Sequence, residues 1–416
     1  MVETEARNRW INRDVMGLAL NRFLSDMGHE AGTSILPLFL TGMGAPPFAL
    51  GVIEAVSDAL SSFTKLSGGW LGDRVARRLP WATLGYVLTG VTTGLYALAD
   101  TWPAILAARA VGWAGRGLRS PLHDAMLADA VPPEVRGRAF GLDEAADTAG
   151  AVAGPLVALA FVAALSDLRP APASYRLVFW LAAVPGLLAA IALVSLVREK
   201  DRVAADGLTL RGSLEALPLP FRRYLVGVGI FGAGDFSHTL LILRATQLLS
   251  ATQPDRAGEI AIQLYTLHNV LYAAGSYPVG VLADRFGKRG PLVGAYILAA
   301  VMNLLLIVAF PSILLLGVIF AIGGTVYASQ QSLERAIAAD LVPVAVRSTG
   351  FGALATVNGI GDFVSSLVVG ALWTAFSPAA GFAFSLALSI AGAIAIALAL
   401  RSRTDRQGQH QEQMSE

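Results

Sequence analysis

Arg22, Asp26, His29 and Glu30 fall inside one hydrophobic stretch, Asp14 to Leu40, the last three at +4, +7 and +8 from the arginine. At about 100° per residue that spacing sets all four on one face of a helix. Similar residues recur in later apolar stretches. Glu54 is followed by Asp58 and Lys65 at +4 and +11, and then come Arg109, Asp147, Asp235 with His238, His268 with Asn269, and Asn358 with Asp362. A carboxyl group in a low-dielectric cavity can load and unload a proton. Asp26, Glu30, Glu54 and Asp58 are the candidates for that work, with Arg22 or Arg109 stabilising the deprotonated forms. Asp26-x-x-His29 and Asp235-x-x-His238 repeat one pattern at an offset of 209. Carboxylate and imidazole are hard-to-borderline ligands, so a Zn, Mn or Fe ion held by these four is the alternative chemistry. A structural salt bridge is the plainer role for each acid, and cavity lining for each histidine. Enzyme chemistry finds no footing: the 416 residues include 0 cysteines, no serine at nucleophile-elbow spacing and no phosphate-binding loop. No cofactor is called for.

The elements that hold these residues are membrane helices. The chain is 55% hydrophobic and 15% charged, with a mean hydropathy of +0.59, against about 25% charged in soluble domains. Apolar runs of spanning length recur from end to end and predict twelve helices: 14–40, 47–68, 80–99, 102–122, 138–165, 175–197, 223–249, 260–282, 289–310, 312–335, 350–374 and 378–400. The polar start to Asp14 does not read as a secretory signal. A charge at mid-depth is costly, so the residues above are expected to face a bundle interior or a watery cavity. Spans 3, 6, 9 and 12 are almost free of them. Tyr265, Tyr272, Phe231 and Phe236 are further candidates for lining a pocket.

Orientation is read from Lys and Arg. With the N-terminus inside, the inner segments hold Arg7, Arg9, Arg13, Arg74, Arg77, Arg78, Arg136, Arg138, Arg198, Lys200, Arg202 and their second-half counterparts, while the outer loops hold only Arg169, Arg176 and Arg256. Both termini are therefore expected in the cytoplasm. The basic residues lie on loops without interleaved aromatics, which argues against a nucleic-acid partner. The longest charged loop, Arg198 to Arg223, divides six spans from six, and the halves repeat. His123–Gly141 aligns without gaps to Glu334–Gly352, and Gly69–Arg78 to Gly280–Arg289, both at an offset of 211. Two halves of like orientation suit an axis along the membrane normal.

The two ten-residue loops, GWLGDRVARR and GVLADRFGKR, resemble the G-x-L-a-D-R-x-G-R-K signature of the major facilitator superfamily. Gly69, Leu71, Asp73, Arg74, Arg77 and Arg78 match in the first copy, where Ala76 replaces the second glycine. Gly280, Leu282, Asp284, Arg285, Gly287, Lys288 and Arg289 match in the second. Arg109 with Gly112, Gly115 and Gly117 resembles the family's span-4 arginine pattern in part. Gly150-x-x-x-Gly154-Pro155 resembles the motif of its antiporters, with Ala158 and Leu159 at the closing glycine pair. The resemblance covers essentially the whole chain and looks most like prokaryotic efflux-type members.

The resemblance implies an all-α membrane protein of twelve transmembrane helices in two pseudo-symmetric six-helix halves. The expected segments are 1–13 (N-terminus), 14–197 (first half), 198–222 (central loop), 223–400 (second half) and 401–416 (a polar tail). Spans 1, 2, 4, 5, 7, 8, 10 and 11 would surround a cavity. Gly69, Asp73, Arg74, Arg77, Gly280, Asp284 and Arg285 would gate it, with Glu334 and Arg335 as a gate pair. The expected function is proton-coupled export of a small polar or amphiphilic organic compound by alternating access, across the inner membrane, by a monomer whose partners are substrate, protons and lipid. A divalent-metal carrier using Asp26, His29, Asp235 and His238, and a proton-coupled importer, are the alternatives.

Overall fold

The computed structural model describes residues 10–45, 47–166, 173–199 and 209–400. Residues 1–9, 200–208 of the central loop and 401–416 lie outside the described residues, as do the side chains of Glu54 and Asp58. Among the described residues there is no strand. Eleven spans are continuous helices: Arg13–Gly42, Pro47–Arg74, Leu79–Leu95, Trp102–Ala130, Arg136–Ser166, Ala173–Leu196, Ala257–Phe286, Arg289–Ile307, Ile313–Leu341, Arg347–Ala375 and Pro378–Ala399. These are spans 1 to 6 and 8 to 12. Six of the described helices are long and apolar enough by composition to cross a membrane, and the most charged spans, 1, 2 and 4, are not among them.

Span 7 departs from the expected single helix over 223–249. It is two helices, Leu219–Gly232 and His238–Ser250, separated by an unwound segment that contains Asp235. Gly232, Gly234, Asp235 and Ser237 are all weak helix formers. The freed backbone is satisfied from span 11: Ser365 Oγ donates to the Asp235 carbonyl (2.6 Å), and Ser237 N–H donates to Ser366 Oγ (3.2 Å). Irregular backbone persists at membrane depth only with such partners.

The repeat is visible in how helices end. Spans 4 and 10 each pass through a Val–Pro step into a short 3-10 turn, Pro133–Val135 and Val344–Val346, before spans 5 and 11. Span 8 ends on Gly287 at φ +85°, a conformation that costs an L side chain dearly. Its counterpart Ala76 adopts no such angle, since no described non-glycine residue has positive φ.

The chain forms two compact units. The first is Met1–Ala216 with Tyr272–Asp284 and Gln331–Thr356, and the second is Leu217–Leu271 with Arg285–Gln330 and Val357–Glu416. In the first, span 1 packs on spans 5 and 6, span 2 on span 4, and span 3 on spans 4 and 6. Its apolar core is centred on Ile35, Leu36, Phe39, Ile105 and Phe179. In the second, span 12 packs on span 9 and on Leu219–Gly232, over a core that includes Leu249, Leu316, Phe320, Val369 and Phe382.

Candidate functional site

Small residues bring span 5 onto span 1. A Cβ on Gly154 would stand 2.6 Å from the Met27 carbonyl and 2.8 Å from the Ala31 nitrogen, and Gly150 lies as close to the Phe23 carbonyl. Only glycine permits this approach. It places Arg22 Nε 2.8 Å from Asp147 Oδ1 and 3.9 Å from Asp143. Asp26, 4% exposed, pairs with Arg116 of span 4 at 3.1 Å. The sequence offers Arg22 or Arg109 as the cation for the acids of spans 1 and 2, and the guanidinium paired with Asp26 is that of Arg116. Arg109 and Arg116 flank the Trp113 ring at 5.7 and 5.6 Å, and His29 meets the same ring edge-on at 5.4 Å. Glu30 stands one turn beyond Asp26 on the face that Gly154 approaches.

Toward the end carrying the basic loops, a second buried cluster involves residues the sequence reading passed over. Tyr86 Oη lies 2.9 Å from His123 Nδ1, and His123 Nε2 lies 2.8 Å from Asp143. An ionised carboxylate only accepts, so Nε2 donates to Asp143. Arg119 lies over the Tyr86 ring at 3.9 Å. Arg335 enters the cluster from span 10. Its Nη1 is 3.1 Å from both Asp124 and Asp143, and its Nη2 bonds Glu144. Glu144 also accepts from the Tyr272 hydroxyl. Glu334 is also buried.

The signature loops cap helices of the opposite half. Asp73 accepts from the N–H groups of Ser348 (2.9 Å) and Thr349 (2.7 Å) at the start of span 11. Asp284 accepts from Gly137 (2.9 Å) and Arg138 (3.0 Å) at the start of span 5, and from the Arg138 side chain. A carboxylate at a helix N-terminus satisfies orphan donors and the dipole together. Gly69 and Gly280 admit the Ser348 and Gly137 carbonyls. Arg74 and Arg285 lie over Trp70 and Phe286, and Arg77 is exposed. Arg78 pairs with Asp73 and Asp129 at 3.3 and 2.7 Å.

In the second unit His238 and His268 stand 4.8 Å apart, ringed by Tyr265 and Tyr327. With Phe231, Asp235, Phe236, Asn303 and Ser389 they line a cavity at the break in span 7. Phe231, expected at a pocket, is stacked on Tyr296 at 3.6 Å. Asn269, Asn358 and Asp362 are not among the walls of this cavity. The Asp26–His29 and Asp235–His238 motifs belong to different units, and among the described residues no group of three or more His, Asp or Glu is set to hold a metal ion.

This arrangement, with buried ion pairs on spans 1, 4 and 5 and acid-capped loops repeated at 211, matches a known class. The family model of the Major Facilitator Superfamily covers residues 18–250 and 250–416, and the chain belongs to that family of membrane transporters, which are not enzymes. An uncharacterized MFS-type transporter of Methanocaldococcus jannaschii is 30% identical over 368 residues, 88% of this chain and 90% of that one. The quinolone resistance protein NorA of Staphylococcus aureus is 24% identical over 197 residues, 47% of this chain and 48% of its own. The E. coli fucose:proton symporter FucP shares the fold, with a TM-score of 0.75 at 13% identity over 93% of this chain and 98% of that one. The molecule is thus a multi-pass membrane protein of twelve spans in two repeated halves.

Proposed function

We propose that this chain is a proton-coupled exporter of a small polar or amphiphilic organic compound, working by alternating access as a monomer in the cell inner membrane with both termini cytoplasmic. The observation that carries the reading is the pair of carboxylates, buried Asp26 and half-buried Asp147, each held by an arginine of another span. They sit where the antiporter-like glycines press span 5 onto span 1. Such pairs are expensive in a membrane interior and mark ion or substrate pathways. The similarity to a quinolone resistance protein over half the chain supports export, and the basic-loop asymmetry supports the orientation.

Reconstitution in liposomes tests the proposal. A pH gradient should drive a panel of fluorescent quinolones and other amphiphiles against the proton flow. Asp26→Asn should lose that drive while retaining downhill exchange. Movement of solute with the protons would turn the reading to import. Transport indifferent to collapse of the gradient would end the proton-coupling claim.

A further inference from the structure

The contacts that close the basic-loop end obey the repeat. Asp73 on Ser348 and Thr349 corresponds to Asp284 on Gly137 and Arg138. Arg136 with Asp340 corresponds to Arg347 with Asp129, and Gly141 against Ser276 to Gly352 against Lys65, each pair shifted by 211. Two contacts join a residue to its own counterpart, Phe140 with Phe351 and Asp124 with Arg335, and so lie on the two-fold relation itself. Asp143 and Glu144 break the rule. Their counterparts are Leu354 and Ala355. Closure needs no acid at these positions, for the other side closes with apolar residues there. Yet both are buried, and both pair with the guanidinium of Arg335, which also keeps its contact with Asp124.

We propose that Asp143 and Glu144 form a proton-binding site for which Arg335 is the competing cation, so that protonation and closure of the basic-loop end exclude one another. This rests on the proton-coupled reading above and names the groups that carry the proton. The titratable and charged groups facing the site are Arg22 and Asp26 from span 1, Tyr86 from span 3, Arg116, Arg119, His123 and Asp124 from span 4, Asp147 from span 5, Tyr272 from span 8, and Arg335 from span 10, next to buried Glu334 in sequence. Arg335 and Tyr272 come from the second half and the acids from the first. Opening this end withdraws both partners. That leaves Glu144 without its cation and Asp143 with only His123 and the more distant Arg22; a buried carboxylate that loses its cation is costly, and a proton takes the place of the arginine. By reciprocity, a proton arriving while the end is closed releases Arg335 and favours opening. Arg22 bridges Asp143 to Asp147, and Asp26 lies one turn further along span 1, which gives the proton a polar route from mid-membrane. An inward proton gradient then drives opening of the basic-loop end in the protonated carrier. The deprotonated carrier closes it with cargo aboard, which is antiport.

The 416-residue chain holds 0 cysteines, so paired labels need no background removal. Cysteines replacing Ala76 and Phe286, both exposed within the signature loops, carry spin labels in nanodiscs, and electron-electron distances are read between about pH 5 and 9. The open-to-closed ratio should rise as pH falls, by up to about tenfold per pH unit for each linked proton. Asp143→Asn with Glu144→Gln should abolish the dependence. Arg335→Lys, which keeps the cation, should retain it and shows that the cluster tolerates substitution. Should the double variant not fold, Glu144→Gln alone must flatten the slope. A pH-independent wild type, an unchanged slope in the neutralised variants, or a slope lost only with Asp26→Asn overturns the assignment. Because the labels report without cargo, pH-driven opening with no proton-driven flux removes the coupling reading and keeps the site. Flux with pH-independent distances does the reverse.

Discussion

Asp26 is met by Arg116, seven residues beyond Arg109 on the same face of span 4. Arg109 fits a family pattern, and Arg116 shares its helix face by spacing alone. Removing one partner of a buried pair leaves an uncompensated charge, at a cost of about 3 kcal/mol or more. Arg116→Gln should therefore lower the melting temperature of the purified protein, and adding Asp26→Asn should recover most of the loss. If the double variant melts no higher than the single, the pair does not carry the cost. Asp143 and Glu144 escaped the sequence reading for a physical reason. Toward the end of a span a charge is ordinarily solvated, and only the partner, Arg335, about 190 residues on, shows these two to be buried.

The signature loops act as caps for helices of the opposite half. The sequence shows that an acid and several bases stand on a tight turn. It does not show that the acid bonds two helix N–H groups, because those belong to spans 5 and 11. Since each acid caps two backbone N–H groups of the opposite half, Asp73→Asn and Asp284→Asn should weaken closure alike, by about 1 kcal/mol each from the lost charge at a helix N-terminus. The same paired labels would register that as a matching increase in the open population. A clear effect of one substitution without the other would show that the two loops do different work.

For the whole molecule, span count, halves and repeat were legible because hydropathy and an ungapped 211-residue offset report them directly. The break in span 7 was not. An apolar run from Arg223 to Leu249 reads as one helix, and what holds it unwound is a pair of serines, Ser365 and Ser366, about 130 residues away. That dependence has a consequence for how the chain is made. The two pieces of span 7 are 14 and 13 residues long, and a helix needs about 20 to cross a bilayer. Neither piece stands alone, and the serines that join them are synthesised four spans later. The expected order is that the second half closes as a block once span 11 is made, rather than span by span. A cysteine replacing Asp255 in chains halted at Leu341 should label unevenly from the face opposite the termini, and uniformly once the chain reaches Ala375. Uniform labelling of the shorter chain would mean that span 7 crosses without help from its late partner.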